Sequence, residues 1–101
     1  FFIDRNENLY VNEIAPRVHN SGHLTINSYN VSQFENHVRA VCKLEQVPLK
    51  KISNAMMTNI IGDQIAYYRT KEFNENEFFF DYLKKEIKQK RKMGHLTTLL
   101  K

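Results

Sequence analysis

The chain has 101 residues, a length that fits one small domain, and its formal net charge at neutral pH is +4. No apolar stretch is long enough to span a bilayer and no secretory signal pattern is present, so we expect neither a membrane partner nor secretion. Cys42 is the only cysteine, which excludes a disulfide framework and favours a reducing, cytoplasmic compartment.

Two strand-like runs open the chain. Residues 1–4 begin with three apolar side chains typical of a strand core, residues 9–15 form the second run, and the polar residues 5–8 lie between them. Short apolar runs separated by a polar turn predict a β-hairpin. Pro16 has no N–H to donate to a ladder, so we expect the second strand to end before it.

The end of the second run places an acid and a guanidinium close together. On a strand that persists up to the proline, Glu13, Ala15 and Arg17 share one face, because alternate residues point the same way. Glu13 can ligate a hard cation such as magnesium through oxygen. Arg17 can bind a small planar oxyanion through two parallel hydrogen bonds. The alternative is a solvated surface pair, which is the commoner meaning of such a spacing.

A polar loop follows over residues 17–25. Four side chains able to form hydrogen bonds crowd around Gly22 in this loop: His19, Asn20, Ser21 and His23. Polar residues that a rigid scaffold holds on a loop are typical of binding sites. The spacing of the two histidines would suit zinc on a helix, but Gly22 argues against a helix and no cysteine lies nearby to complete a ligand set. We therefore do not expect a zinc site.

The next segment has the pattern of an amphipathic helix. Ser32 followed by Glu35 is a capping box, which predicts a helix start, and we expect the helix to run over 32–44. Its apolar residues recur with helical spacing on one stripe: Phe34, Val38, Val41 and Cys42. We therefore expect Cys42 to be a small buried hydrophobic residue rather than a nucleophile.

A linker at 46–49 predicts a domain boundary, with one domain over 1–46 and a second over 50–101. In the second domain, the apolar run 54–61 predicts a buried strand. The polar residues 64–76 predict a loop.

Residues 76–92 carry conflicting signals. Helix propensity and charge spacing over 80–88 favour a helix, whereas the aromatic run 78–80 favours a strand. We predict a strand, because packing against the strand at 54–61 would override local preference. A final strand is predicted over 92–100.

Four segments together resemble one family. Residues 12–23, with the sequence NEIAPRVHNSGH, are similar to a motif of the 5-(carboxyamino)imidazole ribonucleotide synthases, which are ATP-grasp ligases of purine biosynthesis. The other segments follow in the family's order: SQFENHVRA at 32–40, AMMTNIIGD at 55–63 and RKMGHLT at 91–97. The resemblance implies an α+β fold, with the last hairpin, loop and helix of an ATP-grasp domain followed by a small, mainly β C-terminal domain. Because such ligases are much longer, we expect an incomplete piece that is inactive alone.

The resemblance also implies an activity and its ligands. The family uses ATP and magnesium to convert bicarbonate to carboxyphosphate, which then carboxylates the exocyclic amine of 5-aminoimidazole ribonucleotide. By motif match, Asn12 and Glu13 belong to the ATP site, Glu13 binds magnesium, and Arg17 is a catalytic residue that binds bicarbonate. The family's second magnesium carboxylate would lie just before Phe1. The complete enzyme would be a homodimer.

The same match implies which residues meet the substrate. Four loop residues would line the meeting place of carboxyphosphate and the aminoimidazole: His19, Asn20, Ser21 and His23. Of these, His19 and Asn20 are implied as catalytic residues. The ribose phosphate would be held by three basic residues of the small domain: Lys85, Arg91 and Lys92. The chain departs from the family at Gln89 and Lys90, where a Pro-Gly turn is usual.

Two alternatives remain open. The basic residues concentrated over 84–92, with aromatic residues nearby, would suit a small nucleic-acid-binding module. Strong, salt-dependent binding of arbitrary oligonucleotides would favour that reading, whereas the ligase reading predicts no nucleic-acid partner. The other alternative is a non-catalytic remnant of such a ligase.

Overall fold

The structure, a computed structural model, describes residues 1–100. Its regular elements are β1 (Phe2–Ile3), β2 (Leu9–Tyr10), a 3₁₀ turn (Asn20–Gly22), α1 (Thr25–Ser28), α2 (Gln33–Val41), β3 (Asn54–Ile61), α3 (Gln64–Thr70), β4 (Glu77–Asp81) and β5 (Lys92–Leu100). Among these helices, none is long and apolar enough to cross a bilayer.

The larger part of the fold is a three-stranded antiparallel sheet in the order β3-β5-β4. Its central strand, β5, pairs Leu96 with Thr58 on β3 and with Phe79 on β4. The buried apolar cluster consists of Ile60, Ile65, Met93 and Leu96, with Tyr68, Phe73 and Phe79 packed against it. The predicted strands at 54–61 and 92–100 are confirmed. The expected burial of 54–61 is wrong, because β3 lies at the edge of the sheet and only Ile60 in it is buried.

The predicted loop over 64–76 is wrong in its first half, because the chain forms α3 there. Ile65 is fully buried, and Tyr68, three residues further on, packs against the same cluster. Residues three apart on a helix are neighbours on one face, so this pair docks the helix on the sheet although the rest of the segment is polar. The turn into the helix is closed by Gln64, whose Oε1 accepts the Ile61 N–H at 2.9 Å.

The strand predicted over 76–92 is confirmed only at its start, because the chain leaves the ladder after Asp81. The Tyr82 N–H still donates to the Met93 carbonyl at 2.9 Å, and Leu83 then adopts a φ of 52°. A left-handed residue reverses the backbone and cannot continue a ladder. The basic residues that follow therefore form a long turn.

The amino-terminal hairpin is shorter than predicted, because β2 ends at Tyr10 and not at Ala15. The register pairs Phe2 with Tyr10, so each residue after Val11 would need a partner that precedes Phe1. Both β1 side chains are exposed. The expected strand core is therefore not formed within residues 1–100.

The predicted cap of α2 is confirmed, because the Ser32 hydroxyl oxygen accepts the Glu35 N–H at 3.1 Å. The helix ends at Val41, earlier than predicted, because Lys43 adopts a left-handed φ of 54°. Such a residue just after the last turn is a common helix stop.

The apolar stripe of α2 is exposed rather than buried. Phe34, Val38 and Val41 expose 39%, 54% and 69% of their surface. Cys42 is exposed as well, so the expectation of a buried cysteine is wrong. Helical spacing identifies the apolar face, but burial needs an opposing surface, which residues 1–100 do not place over it.

The segment predicted as a linker is tied to the end of α1. The Asn30 N–H donates to the Lys50 carbonyl at 3.1 Å, and the Asn30 side chain donates to the Pro48 carbonyl at 3.1 Å. The Ile52 N–H donates to the Ser28 carbonyl at 2.8 Å. These bonds fix the end of α1 against the segment that leads into β3.

Leu83→Gly should stabilise the protein, although glycine usually weakens a fold. Leu83 is 79% exposed and has a φ of 52°, so it contributes little burial and holds a backbone conformation that disfavours a Cβ. We expect the free energy of unfolding in urea to rise by about 1 kcal/mol. Leu83→Ala is the matched control, because it removes the same apolar surface but keeps the Cβ. If Leu83→Gly and Leu83→Ala were equally stable, the Cβ at position 83 would not be strained by its backbone conformation.

Candidate functional site

The polar loop is held in place by the first residue of α2. The Gln33 side-chain oxygen accepts the His19 N–H at 3.1 Å, and the Gln33 N–H donates to the Thr25 hydroxyl oxygen at 2.9 Å. The Gln33 side chain also fills the space beside Gly22, where a Cβ would overlap Oε1. A side chain at position 22 would therefore displace the Gln33 amide from its hydrogen bond with the His19 N–H.

His19 has a defined tautomer. Its Nδ1 accepts the Ser21 N–H at 3.3 Å and lies 2.9 Å from the Ser21 hydroxyl. A backbone N–H can only donate, so Nδ1 carries no proton and the neutral ring is protonated at Nε2. The His19 side chain is exposed, which leaves an Nε2–H donor free for a ligand.

The acid and the guanidinium of the sequence prediction are both exposed, and the strand that was to align them ends before they begin. The Arg17 N–H donates to the Ala15 carbonyl at 2.8 Å, so the backbone turns tightly around Pro16. Within residues 1–100, Arg17 forms no ion pair, and its guanidinium donates to the Val18 carbonyl at 3.2 Å. The expected alignment of Glu13 and Arg17 on one face of a strand is therefore not observed. Asn12 is exposed beside them.

A complete metal site is not present in the part of the chain that the structure describes. There, no group of three or more His, Cys, Asp or Glu side chains is placed to hold an ion. Glu13 offers one hard oxygen ligand, which suits magnesium. The remaining ligands would have to come from elsewhere.

The loop meets the sheet through one tyrosine. The Tyr82 hydroxyl lies 3.1 Å from His23 Nδ1 on the loop and 3.0 Å from His95 Nδ1 on β5. The His95 ring is 2% exposed and stacks on Phe80, its cross-strand neighbour, with 5.4 Å between ring centroids. The His23 ring packs on Phe34 at 5.1 Å. This cluster joins the two parts of the chain.

Burial makes the charged forms of this cluster unfavourable. Burial lowers the pKa of His23 below its usual 6.5, and the positive charge of Lys92 lowers it further. Burial also lowers the pKa of His95, with a smaller contribution from His23. Burial raises the pKa of Tyr82. Both imidazoles and the phenol are therefore neutral near pH 7.

A groove of about 330 Å³ opens beside the cluster. It is lined by His23, Ile26, Ser32, Phe34, Phe80, Tyr82 and His95. Its walls are largely aromatic and apolar, because the Tyr82 hydroxyl and both Nδ1 atoms are engaged in hydrogen bonds with one another. Such a lining suits the faces of a flat ring.

The basic turn reaches the cluster through Lys84 rather than Lys85. The Lys84 ammonium lies 5.3 Å from the centre of the Tyr82 ring and donates to the Lys92 carbonyl at 2.6 Å. Lys85 is exposed and makes no hydrogen bond within residues 1–100. The Arg91 guanidinium donates to a carbonyl of the same turn at 3.4 Å and is exposed.

Among the predicted site residues, Lys92 and His19 lie near enough to His23 to act on its pKa. Asn20 and Ser21 lie in the 3₁₀ turn of the same loop. Sequence reasoning assigned no role to four residues that shape this site: Gln33, Tyr82, Lys84 and His95. The signal for His95 was present in RKMGHLT, but its spacing from the loop histidines gives no hint of contact.

Comparisons with known proteins match two segments of the chain to two different domains. Residues 1–34 match the ATP-grasp domain, and residues 55–101 match the phosphoribosylaminoimidazole carboxylase C-terminal domain. The N5-carboxyaminoimidazole ribonucleotide synthase of Bacillus subtilis is 42% identical over 97 residues, which is 95% of this chain and 26% of that protein.

Solved structures show the same likeness. The crystal structure of the Staphylococcus aureus N5-carboxyaminoimidazole synthetase superposes with a TM-score of 0.87 at 41% identity, over 99% of this chain and 28% of that one. The Aspergillus clavatus enzyme, solved with ADP and 5-aminoimidazole ribonucleotide, gives 0.85 at 34% identity, over 98% and 28%.

This chain belongs to the N5-carboxyaminoimidazole ribonucleotide synthase family. It corresponds to the C-terminal portion of the family, with the end of an ATP-grasp domain followed by the mainly β C-terminal domain, as the sequence predicts. The chain spans about a quarter of the length of the curated relatives it matches. The fold class is α+β, with the antiparallel sheet in the second part.

The stability of this family member should fall between neutral and mildly acidic pH. Because the pKa values of His23 and His95 are lowered by folding, the unfolded chain binds protons first as the pH drops below 6.5. The free energy of unfolding is therefore highest above pH 6.5. It falls as the pH drops from there to the pKa values of the two histidines in the folded protein. Urea unfolding at about pH 7.5 and about pH 5.5 measures this loss.

His23→Gln is the control for this prediction, because glutamine does not titrate. Its free energy of unfolding should change less between the two pH values. The Asp81 carboxyl, whose pKa is lowered by the Arg69 hydrogen bond, titrates below this window. A wild-type protein with the same stability at both pH values would contradict the burial argument.

Proposed function

We propose that the protein containing this chain is an ATP-dependent carbon–nitrogen ligase that carboxylates 5-aminoimidazole ribonucleotide with bicarbonate in purine biosynthesis. The observation that carries the proposal is the pair of contacts that Tyr82 makes beside the groove, with His23 of the polar loop and with Lys84 of the basic turn. The relative solved with ADP and 5-aminoimidazole ribonucleotide supports both ligand classes. We expect the isolated chain to be inactive and the complete protein to act as a cytoplasmic homodimer.

In the proposed reaction, ATP transfers its terminal phosphoryl group to a bicarbonate oxygen, which yields ADP and carboxyphosphate. The exocyclic amine of the substrate then attacks the carboxyl carbon and releases phosphate. Phosphoryl transfer of this kind depends on positioning and on neutralising charge. Magnesium would supply part of that neutralisation, with Glu13 as one of its ligands and Asn12 beside it in the ATP site.

Arg17 is proposed to bind bicarbonate and to stabilise the negative charge that grows as carboxyphosphate forms. Its exposed guanidinium donates only to a neighbouring carbonyl, so it is free to turn toward an anion. His19 is proposed to donate its Nε2–H to an oxygen of the same anion, because Ser21 occupies Nδ1. Asn20, next in the loop, is proposed to contact both carboxyphosphate and substrate. We assign no general base.

The substrate is proposed to lie against His23 and Ser21, with its ribose phosphate held by the basic turn. Lys85, Arg91 and Lys92 are the clamp that the motif match favours. The contacts add Lys84, whose ammonium lies over Tyr82 at the groove. An arginine fork with lysine point charges suits a phosphate.

Arg17→Ala should lower the turnover of the complete ligase by about 10²- to 10³-fold while ATP binding changes little, because the partner of Arg17 forms only during reaction. Steady-state kinetics with ATP and 5-aminoimidazole ribonucleotide, together with nucleotide titration, measures both effects. Arg17→Lys keeps the charge but loses the fork and should recover part of the turnover. Intact turnover in the alanine variant would remove Arg17 from the proposed mechanism.

Lysine substitutions test the phosphate clamp. Lys85→Ala should raise the Michaelis constant for 5-aminoimidazole ribonucleotide about tenfold with little change in turnover, because it removes binding common to ground and transition states. Lys84→Ala is the matched comparison at the neighbouring position. A large effect of Lys84→Ala with none of Lys85→Ala would transfer the role to Lys84, and no effect of either would exclude both from the clamp.

A further inference from the structure

Both histidines of the cluster use the same ring nitrogen for the same partner. Nδ1 of His23 and Nδ1 of His95 lie 3.1 and 3.0 Å from the Tyr82 hydroxyl oxygen. A neutral imidazole carries one proton on one nitrogen, and a phenol hydroxyl has one proton to donate. The Tyr82 hydroxyl can therefore donate to only one of the two rings.

The remaining ring must then donate to the tyrosine oxygen. If Tyr82 donates to one Nδ1, that ring is protonated at Nε2, and the other ring is protonated at Nδ1 so that it can donate in turn. Opposite tautomers are the arrangement in which both contacts are hydrogen bonds and the Tyr82 proton has a partner within residues 1–100. With Nε2–H on both rings, one contact would bring together two lone pairs. With Nδ1–H on both rings, both would donate to the tyrosine oxygen and leave the Tyr82 proton without either imidazole as its acceptor.

The consequence for the groove concerns the other nitrogens. Both rings line the groove, and their Nδ1 atoms are committed to Tyr82, so only Nε2 remains on each ring for a ligand. Opposite tautomers make one Nε2 a donor and the other an acceptor. The ring centroids are 5.3 Å apart, so one small ligand in the groove can lie against both rings.

We propose that Tyr82 is a positioning residue that sets opposite tautomers on His23 and His95 and so presents one donor and one acceptor to the aminoimidazole of the substrate. Tyr82 also joins the loop to β5 by the same two hydrogen bonds, so it sets the distance between the loop and the basic turn. The substrate in this proposal rests on the proposed function. The tautomer pairing does not, because it follows from the three side chains alone.

The charges around the cluster favour this neutral arrangement. The positive charge of Lys92 opposes protonation of His23. The Lys84 ammonium lies over the Tyr82 ring. An added proton on His23 would meet positive charge on the basic turn.

The first test measures the tautomers in the full-length protein that contains this chain, with ¹⁵N-labelled histidine and NMR near neutral pH. Ring nitrogen shifts distinguish Nδ1–H from Nε2–H, and His23→Gln and His95→Gln assign the signals by their loss. Opposite tautomers on the two rings support the proposal. The same tautomer on both rings overturns it. This measurement requires neither a Tyr82 variant that folds nor an assay of the ligase reaction.

The second test compares Tyr82→Phe with Tyr67→Phe, which makes the same chemical change on the exposed face of α3. Tyr82→Phe should lose the tautomer pairing and lower kcat/KM for 5-aminoimidazole ribonucleotide about five- to tenfold, with the KM for ATP unchanged. Tyr67→Phe should match the wild type in both readouts.

The outcomes separate this inference from the proposed function. Wild-type turnover with an unchanged kcat/KM in Tyr82→Phe would overturn the positioning role. A wild-type protein that does not carboxylate the substrate would overturn the proposed function, while the NMR result would still decide the tautomer pairing. An equal loss of kcat/KM for both substrates would indicate general damage and would also overturn the role.

Discussion

The pairing of β5 with a strand on each side is the constraint on which the rest of the structure depends. Successive side chains of a strand point to opposite faces, so neighbouring residues of β5 serve different surfaces. Leu96 lies opposite Phe79 and belongs to the buried cluster, whereas His95 lies opposite Phe80 and lines the groove. A shift of one residue in register would exchange the two, so the core and the candidate site are specified together.

The groove is assembled from parts of the chain that local structure alone does not connect. The loop is held by Gln33, the linker is tied back to α1 through Asn30, and Tyr82 bridges the loop to the sheet. These bonds are individually modest, but each satisfies a polar group that would otherwise lose a partner. Their combined effect is to place neutral aromatic and imidazole rings beside positive charge, which suits a ligand that has both a flat ring and an anionic group.

The two parts of the chain differ in how much apolar surface they leave open. Within residues 1–100, Glu13 belongs to no group of three or more side chains placed to hold a metal ion, and the apolar side chains of β1 and α2 are exposed. These features lie in the part that matches the ATP-grasp domain, whereas the sheet that matches the C-terminal domain has a buried core of its own. The second part therefore buries its apolar side chains among its own residues, whereas the first part leaves many of them exposed.

Much of the architecture was predictable from the residues. The capping pair Ser32 and Glu35 predicts the start of α2, because both partners of the cap are local. The segments rich in apolar residues at 54–61 and 92–100 predict β3 and β5, although the edge position of β3, which leaves only Ile60 buried, was not predictable from them. The family motifs, similarly, are contiguous strings that need no coordinates to be recognised.

Three features needed the tertiary structure. The helix α3 depends on burying Ile65 and Tyr68 against the sheet, and its polar sequence gives no strong periodic signal. The end of β2 depends on the register of the hairpin, which periodicity does not contain. The contact of Tyr82 with His23 and His95 depends on how loop and sheet dock. Sequence alone therefore determined the elements with local causes, and only packing between distant segments decided which of their side chains meet.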